Sequence, residues 1–93
     1  MPPSRKAVAL RYDTRKDRAP RVVAKGDREM AERIEAVARE HRIPIHQDRE
    51  LVDLLAALDL DTEIPESLYR AVAEVLAFIY RLNRLAGPRG ALR

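Results

Sequence analysis

The stretch APRVVAKGDREMAERIEAVAREHRIPIH, residues 19–46, decides the fold class of this 93-residue chain. Near its start, residues 21–25 (RVVAK) contain a pair of β-branched valines and are followed by Gly26, and this pattern is typical of a strand. A second short strand is predicted at residues 43–45, where Pro44 restricts it to a sheet edge or a strand start because proline has no N–H to donate. The apolar residues between these strands recur at helical spacing. A strand, a helix and a strand in this order predict a parallel, right-handed crossover.

The helix of this stretch has Asp27 as its predicted N-cap and runs to about His41. The residues expected to face the sheet are apolar, namely Met30, Ala31, Ile34, Val37 and Ala38. The residues expected on the outer face are charged, namely Glu29, Glu32, Glu35 and Arg39. This division between two faces predicts an amphipathic helix that packs on one side of a sheet.

The segment before this stretch predicts a further strand. The run AVALRY, residues 7–12, places Val8 and Leu10 on the same face of an extended chain. Two prolines upstream oppose a helix there. The densely charged residues 13–19 should then form a surface loop, which is too long for a two-residue hairpin turn.

Two helices are predicted after the crossover. Asp48 is the expected N-cap of the first, whose apolar stripe is Leu51, Leu54, Leu55 and Leu58. The longest helix starts at Ile64 and Pro65, because proline is tolerated in a first turn. Its apolar positions are Leu68, Val72, Val75, Leu76, Ile79 and Leu82. Gly87 and Pro88 should end it.

The predicted fold class is therefore α/β, a single domain over residues 1–86 with a small mixed β-sheet packed by about three helices. Residues 87–93 are expected to be a flexible tail. The chain has no cysteine, which excludes disulfides and thiolate metal sites. No apolar run approaches the about 20 residues that a membrane-spanning helix needs. We therefore expect a cytoplasmic protein.

Basic residues are concentrated in the first third of the chain. Residues 1–28 carry nine Lys or Arg and three Asp, whereas residues 29–93 carry nine Lys or Arg and twelve acids. We call five of the basic residues the basic loop: Arg11, Arg15, Lys16, Arg18 and Arg21. Such a cluster could neutralise nucleic-acid phosphates, or it could be an ordinary solvated loop. Because Tyr12 is its one aromatic neighbour, a stacking platform for single strands is not expected.

The sequence contains no convincing catalytic or metal-binding pattern. His41 and His46 flank the third strand five residues apart, and they match no known ligand spacing. The two serines, Ser4 and Ser67, belong to no recognisable triad. We therefore expect no metal, no cofactor and no enzymatic activity.

Three segments carry a family resemblance: AVALRYD at residues 7–13, APRVVAKG at residues 19–26 and IPESLYRAVAEVLAFIYRL at residues 64–82. In this order and at nearly these separations, they resemble the cytoplasmic C-terminal domain of the FlhB/YscU/EscU family. Members of that family are export-switch proteins of flagellar and type III secretion systems. The resemblance covers about residues 2–85, and it implies a small α/β domain attached to a membrane export gate.

The resemblance also implies a degenerate cleavage motif. Family members cleave themselves between the Asn and the Pro of an NPTH motif, because the asparagine carboxamide attacks its own backbone carbonyl. The matching positions here are Pro2, Pro3, Ser4 and Arg5. Pro2 has no carboxamide, so we expect no self-cleavage. The family's transmembrane region and the strand that ends in NPTH have no counterpart in this sequence, which indicates a stand-alone paralogue similar to the fragment downstream of the cut.

The partners implied by the resemblance are export gate proteins and secreted substrates or their chaperones, met at the cytoplasmic face of a membrane complex. Family members receive early substrates on an apolar patch, and the matching positions here, which we call the apolar patch, are Ala19, Pro20, Ala73 and Leu76. The alternative for the last two is ordinary core packing.

A missing strand would also leave a row of backbone N–H and C=O groups in the sheet without hydrogen-bond partners. Such a row invites strand addition by a partner or by a second copy of the chain, which would give a homodimer. The function expected from the whole sequence is a non-enzymatic interaction module of flagellar or type III protein export. The alternative is a basic nucleic-acid-binding protein that uses residues 11–21.

Overall fold

The computed structural model describes residues 5–13, 15–82 and 89–92. Its elements follow the predicted order of strands and helices closely. They are β1 (Lys6–Arg11), β2 (Arg21–Asp27), α1 (Arg28–Glu40), β3 (Ile45–His46), α2 (Arg49–Ala56), a 3-10 turn (Glu66–Leu68), α3 (Tyr69–Leu82) and β4 (Arg89–Leu92). The predicted α/β class with a mixed sheet and three helices is confirmed.

The four strands form one sheet in the order β2-β1-β4-β3. β1 runs antiparallel to both of its neighbours, β2 and β4. β3 runs parallel to β4 and forms one end of the described sheet, which is the edge position predicted from Pro44. It follows that β2 and β3 point in the same direction, so the crossover that joins them through α1 is parallel. β3 begins at Ile45, after the proline, rather than at residue 43 as predicted.

The tail of the chain differs from the expectation. Residues 87–93 were predicted to be flexible, whereas Arg89–Leu92 form β4 between β1 and β3. Ala91 pairs with Ala9 on one side and with Ile45 on the other. The unpaired row expected on the sheet is therefore not found on β1, because β2 and β4 occupy both of its sides. The outer strands of the described sheet are β2 and β3.

The main core lies between one face of the sheet and the helices α2 and α3. Val8 and Leu10 on β1 belong to it, as their alternation predicts, together with Val22 on β2. The helices and loops add Ala19, Leu51, Val52, Leu55, Ile64, Val72, Val75 and Leu76. Burial of these apolar side chains is the main force that holds the layers together.

α1 packs through small side chains and adds no member to that core cluster among the described residues. Its buried residues are Ala31, Glu35 and Ala38, which are spaced four and three residues apart on one face. Ala7 is fully buried and alternates with Val8 along β1, so it points to the face opposite the main core. α1 therefore covers the second face of the sheet.

The predicted outer face of α1 is wrong at Glu35. This residue was expected in solvent, but it is 1% exposed, whereas Met30 and Val37 are 50% and 46% exposed. The side chain of Arg5 reaches Glu35 and forms an ion pair with its carboxylate. Because a charge is buried at low cost only with a partner, this pair allows α1 to turn its alanine and glutamate face inward.

The ends of α2 are capped by two polar side chains. Asp48 Oδ1 accepts a hydrogen bond from the Leu51 N–H at 3.1 Å, which confirms the predicted N-cap. At the other end, Lys25 Nζ donates to the carbonyl of Ala56 at 3.1 Å and to that of Leu58 at 2.5 Å. A cation at this position satisfies the last carbonyl of the helix, and it also binds the Leu58 carbonyl two residues beyond the helix end.

The inward faces of the last two helices agree only in part with the prediction. Leu51 and Leu55 are buried, but Leu54 is 55% exposed and Val52 takes its place. The last helix starts later than expected, with a 3-10 turn from Glu66 that leads into α3. Its predicted end at residues 87–88 lies outside the described residues.

Candidate functional site

The basic loop is built around Asp17. The carbonyl of Asp13 accepts hydrogen bonds from the N–H groups of Lys16 and Asp17, at 3.0 and 2.7 Å. Asp17 Oδ2 accepts in turn from the Asp13 N–H at 3.1 Å. The Asp13 carbonyl thus accepts from the Asp17 N–H, and the Asp17 carboxylate accepts from the Asp13 N–H. This reciprocal pair of hydrogen bonds stabilises a tight turn.

Two guanidinium groups converge on the same carboxylate. Asp17 Oδ1 lies 3.3 Å from Arg11 Nη2 and 3.1 Å from Arg21 Nε, and the Asp17 side chain is buried. The backbone N–H of Asp13 holds the pKa of Asp17 below its ordinary value, and Arg11 and Arg21 lower it further, whereas burial acts in the opposite direction. Asp17 thus joins the end of β1 to the start of β2.

Arg21 also connects this loop to the segment before α3. Its Nη1 donates to the carbonyl of Asp61 at 2.9 Å, and its Nη2 lies 3.4 Å from Glu63 Oε1. The Ile64 N–H donates to the carbonyl of Pro20 at 2.9 Å. Pro20 is therefore held beside the segment that leads into the last helix.

These connections place all four residues of the apolar patch around one pocket of about 180 Å³. Ala19 and Pro20 come from the loop before β2, and Ala73 and Leu76 come from α3. The other lining residues are Tyr12, Arg18, Ile64, Tyr69 and Val72. Residues that are more than fifty positions apart in sequence thus form a single concave surface.

The exposure of the patch residues distinguishes the floor of the pocket from its rim. Ala19, Pro20 and Leu76 are buried and form the floor, whereas Ala73 is exposed. Tyr69 is also exposed at the rim. An apolar cavity of roughly 150 Å³ can hold a benzene molecule, so the pocket suits one apolar side chain of a partner. The alternative of ordinary core packing applies to Leu76, which belongs to the core cluster, but not to Ala73.

Four further pocket residues were not predicted as site residues from the sequence, namely Tyr12, Ile64, Tyr69 and Val72. Tyr69 and Val72 precede Leu76 by seven and four positions, and Ala73 directly follows Val72, so all four share one helix face. This spacing was a signal that could have identified them. Ile64 joins the pocket through its backbone bond to Pro20, which no local pattern announces.

The five residues of the basic loop have different surroundings. Arg11 and Arg21 pair with Asp17, and Arg15 pairs with Asp13 at 3.6 Å. Lys16 and Arg18 are exposed, and Arg18 lies at the rim of the pocket. The loop is thus in large part an internal ion-pair network rather than a row of free cations.

The degenerate cleavage motif is described at one position. Pro2, Pro3 and Ser4 lie outside the described residues. Arg5 pairs with Glu35, and its other guanidinium nitrogen is 3.5 Å from Glu32 Oε1. The Arg5 carbonyl also accepts a hydrogen bond from the Arg28 N–H at 2.7 Å. The start of the described chain is therefore attached to the N-terminal half of α1.

Over residues 5–13, 15–82 and 89–92, no cluster of His, Cys, Asp or Glu is arranged to hold a metal ion. His46 packs edge-on against the Phe78 ring, with 5.4 Å between ring centroids. No helix in the same part of the chain is both long and apolar enough to cross a membrane.

The chain is similar to proteins of bacterial export systems. The model of the FlhB HrpN YscU SpaS Family matches residues 1–79. The uncharacterized protein YlqH of Bacillus subtilis strain 168 is 51% identical over 87% of this chain and 87% of its own length. The flagellar biosynthetic protein FlhB of Yersinia enterocolitica is 45% identical over 88% of this chain, which spans 22% of that FlhB.

A solved structure agrees with these similarities. The crystal structure of the cytoplasmic domain of FlhB from Shewanella putrefaciens is 41% identical and superposes with a TM-score of 0.79. The match covers 86% of this chain and 65% of that domain. The comparisons give no support to a nucleic-acid-binding protein. The sheet, the three helices and the sequence matches together show that this chain belongs to the FlhB HrpN YscU SpaS family.

Proposed function

We propose that this chain is a non-enzymatic interaction module of a flagellar or type III protein export apparatus. It acts at the cytoplasmic face of the inner-membrane export complex, to which export gate proteins recruit it. Its apolar patch receives an apolar side chain from an export substrate or from the chaperone that delivers one. No cofactor is required for this role, because apolar contact and surface charge of the chain itself are sufficient for recognition.

The single observation that carries the proposal is the convergence of the apolar patch on one pocket. Ala73 is exposed at the rim while Leu76 and Ala19 form a buried floor, which is the arrangement of a receptor for a side chain. Tyr69 adds an amphipathic ring at the rim, a residue type that is frequent in recognition surfaces.

The basic loop supports the same role through charge. Arg18 lies at the pocket rim, and the exposed Lys16 is close to it in sequence. Cations beside an apolar pocket accelerate the encounter with acidic segments of a partner, and salt weakens this attraction. The internal ion pairs of Arg11 and Arg21 keep the loop in place beside the pocket.

We further propose that the chain does not cleave itself. The asparagine carboxamide used by the family has no equivalent at Pro2, and proline offers no nucleophile in its place. Intact mass after prolonged incubation of the purified chain tests this directly. A single unchanged mass is expected, and two complementary fragments would contradict the proposal.

A homodimer, if the chain forms one by strand addition, must use β2 or β3, because these are the outer strands of the described sheet. The Arg21 end of β2 is already bridged to Glu63, so pairing would involve the remainder of that strand. Sedimentation of the purified chain at several concentrations would detect such a dimer.

Site-specific photocross-linking in the host cell tests the main proposal. A photoreactive amino acid at Ala73 should cross-link to secreted proteins of the export system. The same amino acid at Arg70, which is exposed on α3 but does not line the pocket, should not do so. Equal cross-linking from both positions, or none to exported proteins and their chaperones from Ala73, would contradict the proposal.

A further inference from the structure

A second and larger apolar groove lies between α1 and the sheet. Its volume is about 550 Å³, and it is lined by residues of β1, β2, α1 and the segment that precedes β3. Ala9, Ala24 and Ala38 are among its small lining residues, and Val23, Met30 and Val37 are among its larger ones. The apolar patch contributes no residue to this groove.

The groove exists because α1 packs on the sheet through small residues. Ala31 and Ala38 are buried where α1 meets the sheet, and alanine side chains leave the space beside them unfilled. Gly26 allows Met30 to lie directly above β2, since a Cβ at Gly26 would overlap the Met30 side chain. Met30 therefore lies over β2 at the edge of the groove.

A bulge in β2 adds another apolar side chain. Ala9 pairs with Ala24 and Leu10 pairs with Val22, so Val23 is an extra residue without a partner on β1. Val23 is consequently 42% exposed, although its neighbour Val22 is fully buried. Bulges of this type redirect a side chain and occur often beside functional sites.

Two exposed apolar residues of α1 and a partly buried one between them form a ridge suited to another helix. Met30, Ile34 and Val37 are spaced four and three residues apart, so they follow one face of α1 for about two turns. Such a row of side chains fits between two rows of side chains on the surface of a second helix. Met30 and Val37 are each about half exposed, so this part of the groove is open to solvent. A small ligand bound there would stay largely in contact with water, whereas a helix of a partner protein would cover both side chains.

The charge around the groove selects an acidic partner. Arg11 and Arg33 line it, and none of its lining residues in the described part of the chain is a carboxylate. Arg11 is held by Asp17, whereas Arg33 makes no hydrogen bond or ion pair with the described part of the chain. A guanidinium beside an apolar surface forms a charge-assisted hydrogen bond with an incoming carboxylate.

We propose that this groove binds an amphipathic helix of a partner protein. Its apolar face contacts Val23, Met30 and Val37, and a glutamate or aspartate beside that face pairs with Arg33. This mode of recognition, an amphipathic helix in an apolar groove, recurs among protein complexes. The inference is independent of the function proposed for the apolar patch, because the two surfaces share no residue among those that the structure describes.

Titration of the full chain with designed peptides, followed by ¹⁵N and methyl NMR spectra, tests the groove. The probe is a helix-forming peptide of about fourteen residues with Leu at i, i+3, i+4 and i+7 and Glu beside this stripe. We expect saturable shifts at Val23, Ile34 and Val37. A peptide with Lys in place of each Glu should bind at least about tenfold more weakly, because it lacks the carboxylate that pairs with Arg33.

Two variants and one matched control complete the experiment. Val37→Asp places a charge in the contact and Arg33→Glu reverses the guanidinium, so each should weaken binding about tenfold or more. Leu54→Asp changes a similarly exposed apolar residue on α2, outside the groove, and should bind like the parent chain.

Four results would overturn the proposal. The first is the absence of shifts at the groove at millimolar peptide, and the second is equal binding of the Lys peptide. The third is unchanged affinity of the Arg33→Glu variant, which alters only a surface side chain and should fold normally. The fourth is saturation of the groove by octanoate but not by the peptide, which would assign it to small amphiphiles instead.

Discussion

Arg21 forms an ion pair with the buried carboxylate of Asp17, with 3.1 Å between Nε and Oδ1, and this pair joins the basic loop to the start of β2. The same guanidinium reaches the carbonyl of Asp61 at 2.9 Å. Asp17 and Arg21 therefore connect both chain segments that form the apolar pocket. Loss of the carboxylate should loosen the pocket and the fold together.

The first prediction concerns the pH dependence of this pair. The pKa of Asp17 is lower in the folded chain than its ordinary value of 3.8, so the unfolded chain binds the proton more readily. The stabilisation is therefore complete above about pH 5 and is lost as the pH falls through the lower pKa of the folded state. Asp17→Asn should lower the urea midpoint at about pH 7, and by less at about pH 3.

Asp59→Asn is the matched control for this measurement, because Asp59 is exposed and its side chain makes no bond with the described residues. Its urea midpoint should remain close to that of the parent chain at both pH values. An Asp17→Asn midpoint equal to that of the parent at neutral pH would show that the Asp17 network does not stabilise the domain.

A second prediction concerns the ion pair between Arg5 and the buried Glu35. Arg5→Ala should lower the free energy of unfolding by about 1.5–3 kcal/mol, the range for hydrogen bonds to charged groups. The control Arg15→Ala removes an arginine side chain that is 89% exposed and should cost no more than about 1 kcal/mol. Urea denaturation measures both changes, and an equal loss in the two variants would argue against the Arg5 pair.

The third prediction tests which face of α2 is buried. Leu55 is fully buried and Leu54 is 55% exposed, although they are neighbours with the same side chain. Leu55→Ala should lower the free energy of unfolding by about 2–5 kcal/mol, since it removes buried methyl groups from a packed core. Leu54→Ala should change it by about 0.5 kcal/mol or less. A reversed order would mean that α2 presents a different face.

The fourth prediction concerns β4, the strand that was not expected. It separates β1 from β3, and β3 has β4 as its strand partner in the described sheet. A chain that stops after residue 86 should therefore show faster hydrogen exchange at the backbone of Ile45 and His46 and along Val8–Arg11. Unchanged protection at these amides, with β2 as an internal reference, would contradict this role of β4.

Hydrophobic periodicity in the sequence predicted most of the helices and strands, but it did not predict β4 or the inward position of Glu35. The alternation at Val8 and Leu10 and the cap at Asp48 are local signals, and both predictions were correct. β4 has no such signal, because RGAL is stabilised by backbone pairing with distant strands rather than by an apolar pattern. The inward position of Glu35 depends on Arg5, thirty residues away in sequence.

The residues of the candidate site were likewise predictable where local spacing places them and unpredictable where distant contacts do. Tyr69, Val72 and Leu76 share a helix face that spacing alone can reveal. Asp17 was read as one of many charges in a solvated loop, because nothing local indicates that two arginines enclose it. Ala19 and Pro20 were selected through the family resemblance, since no chemistry in those side chains suggests binding.

The fifth prediction concerns the central claim, that the apolar patch binds export substrates. Calorimetric titration of the full chain with a purified export substrate of its host's flagellar or type III system tests it most directly. The parent chain and Leu54→Asp should bind with the same affinity, whereas Ala73→Asp should bind at least about tenfold more weakly because it places a charge at the rim of an apolar pocket. Equal affinity of Ala73→Asp and the parent chain, or no binding by the parent, would contradict it.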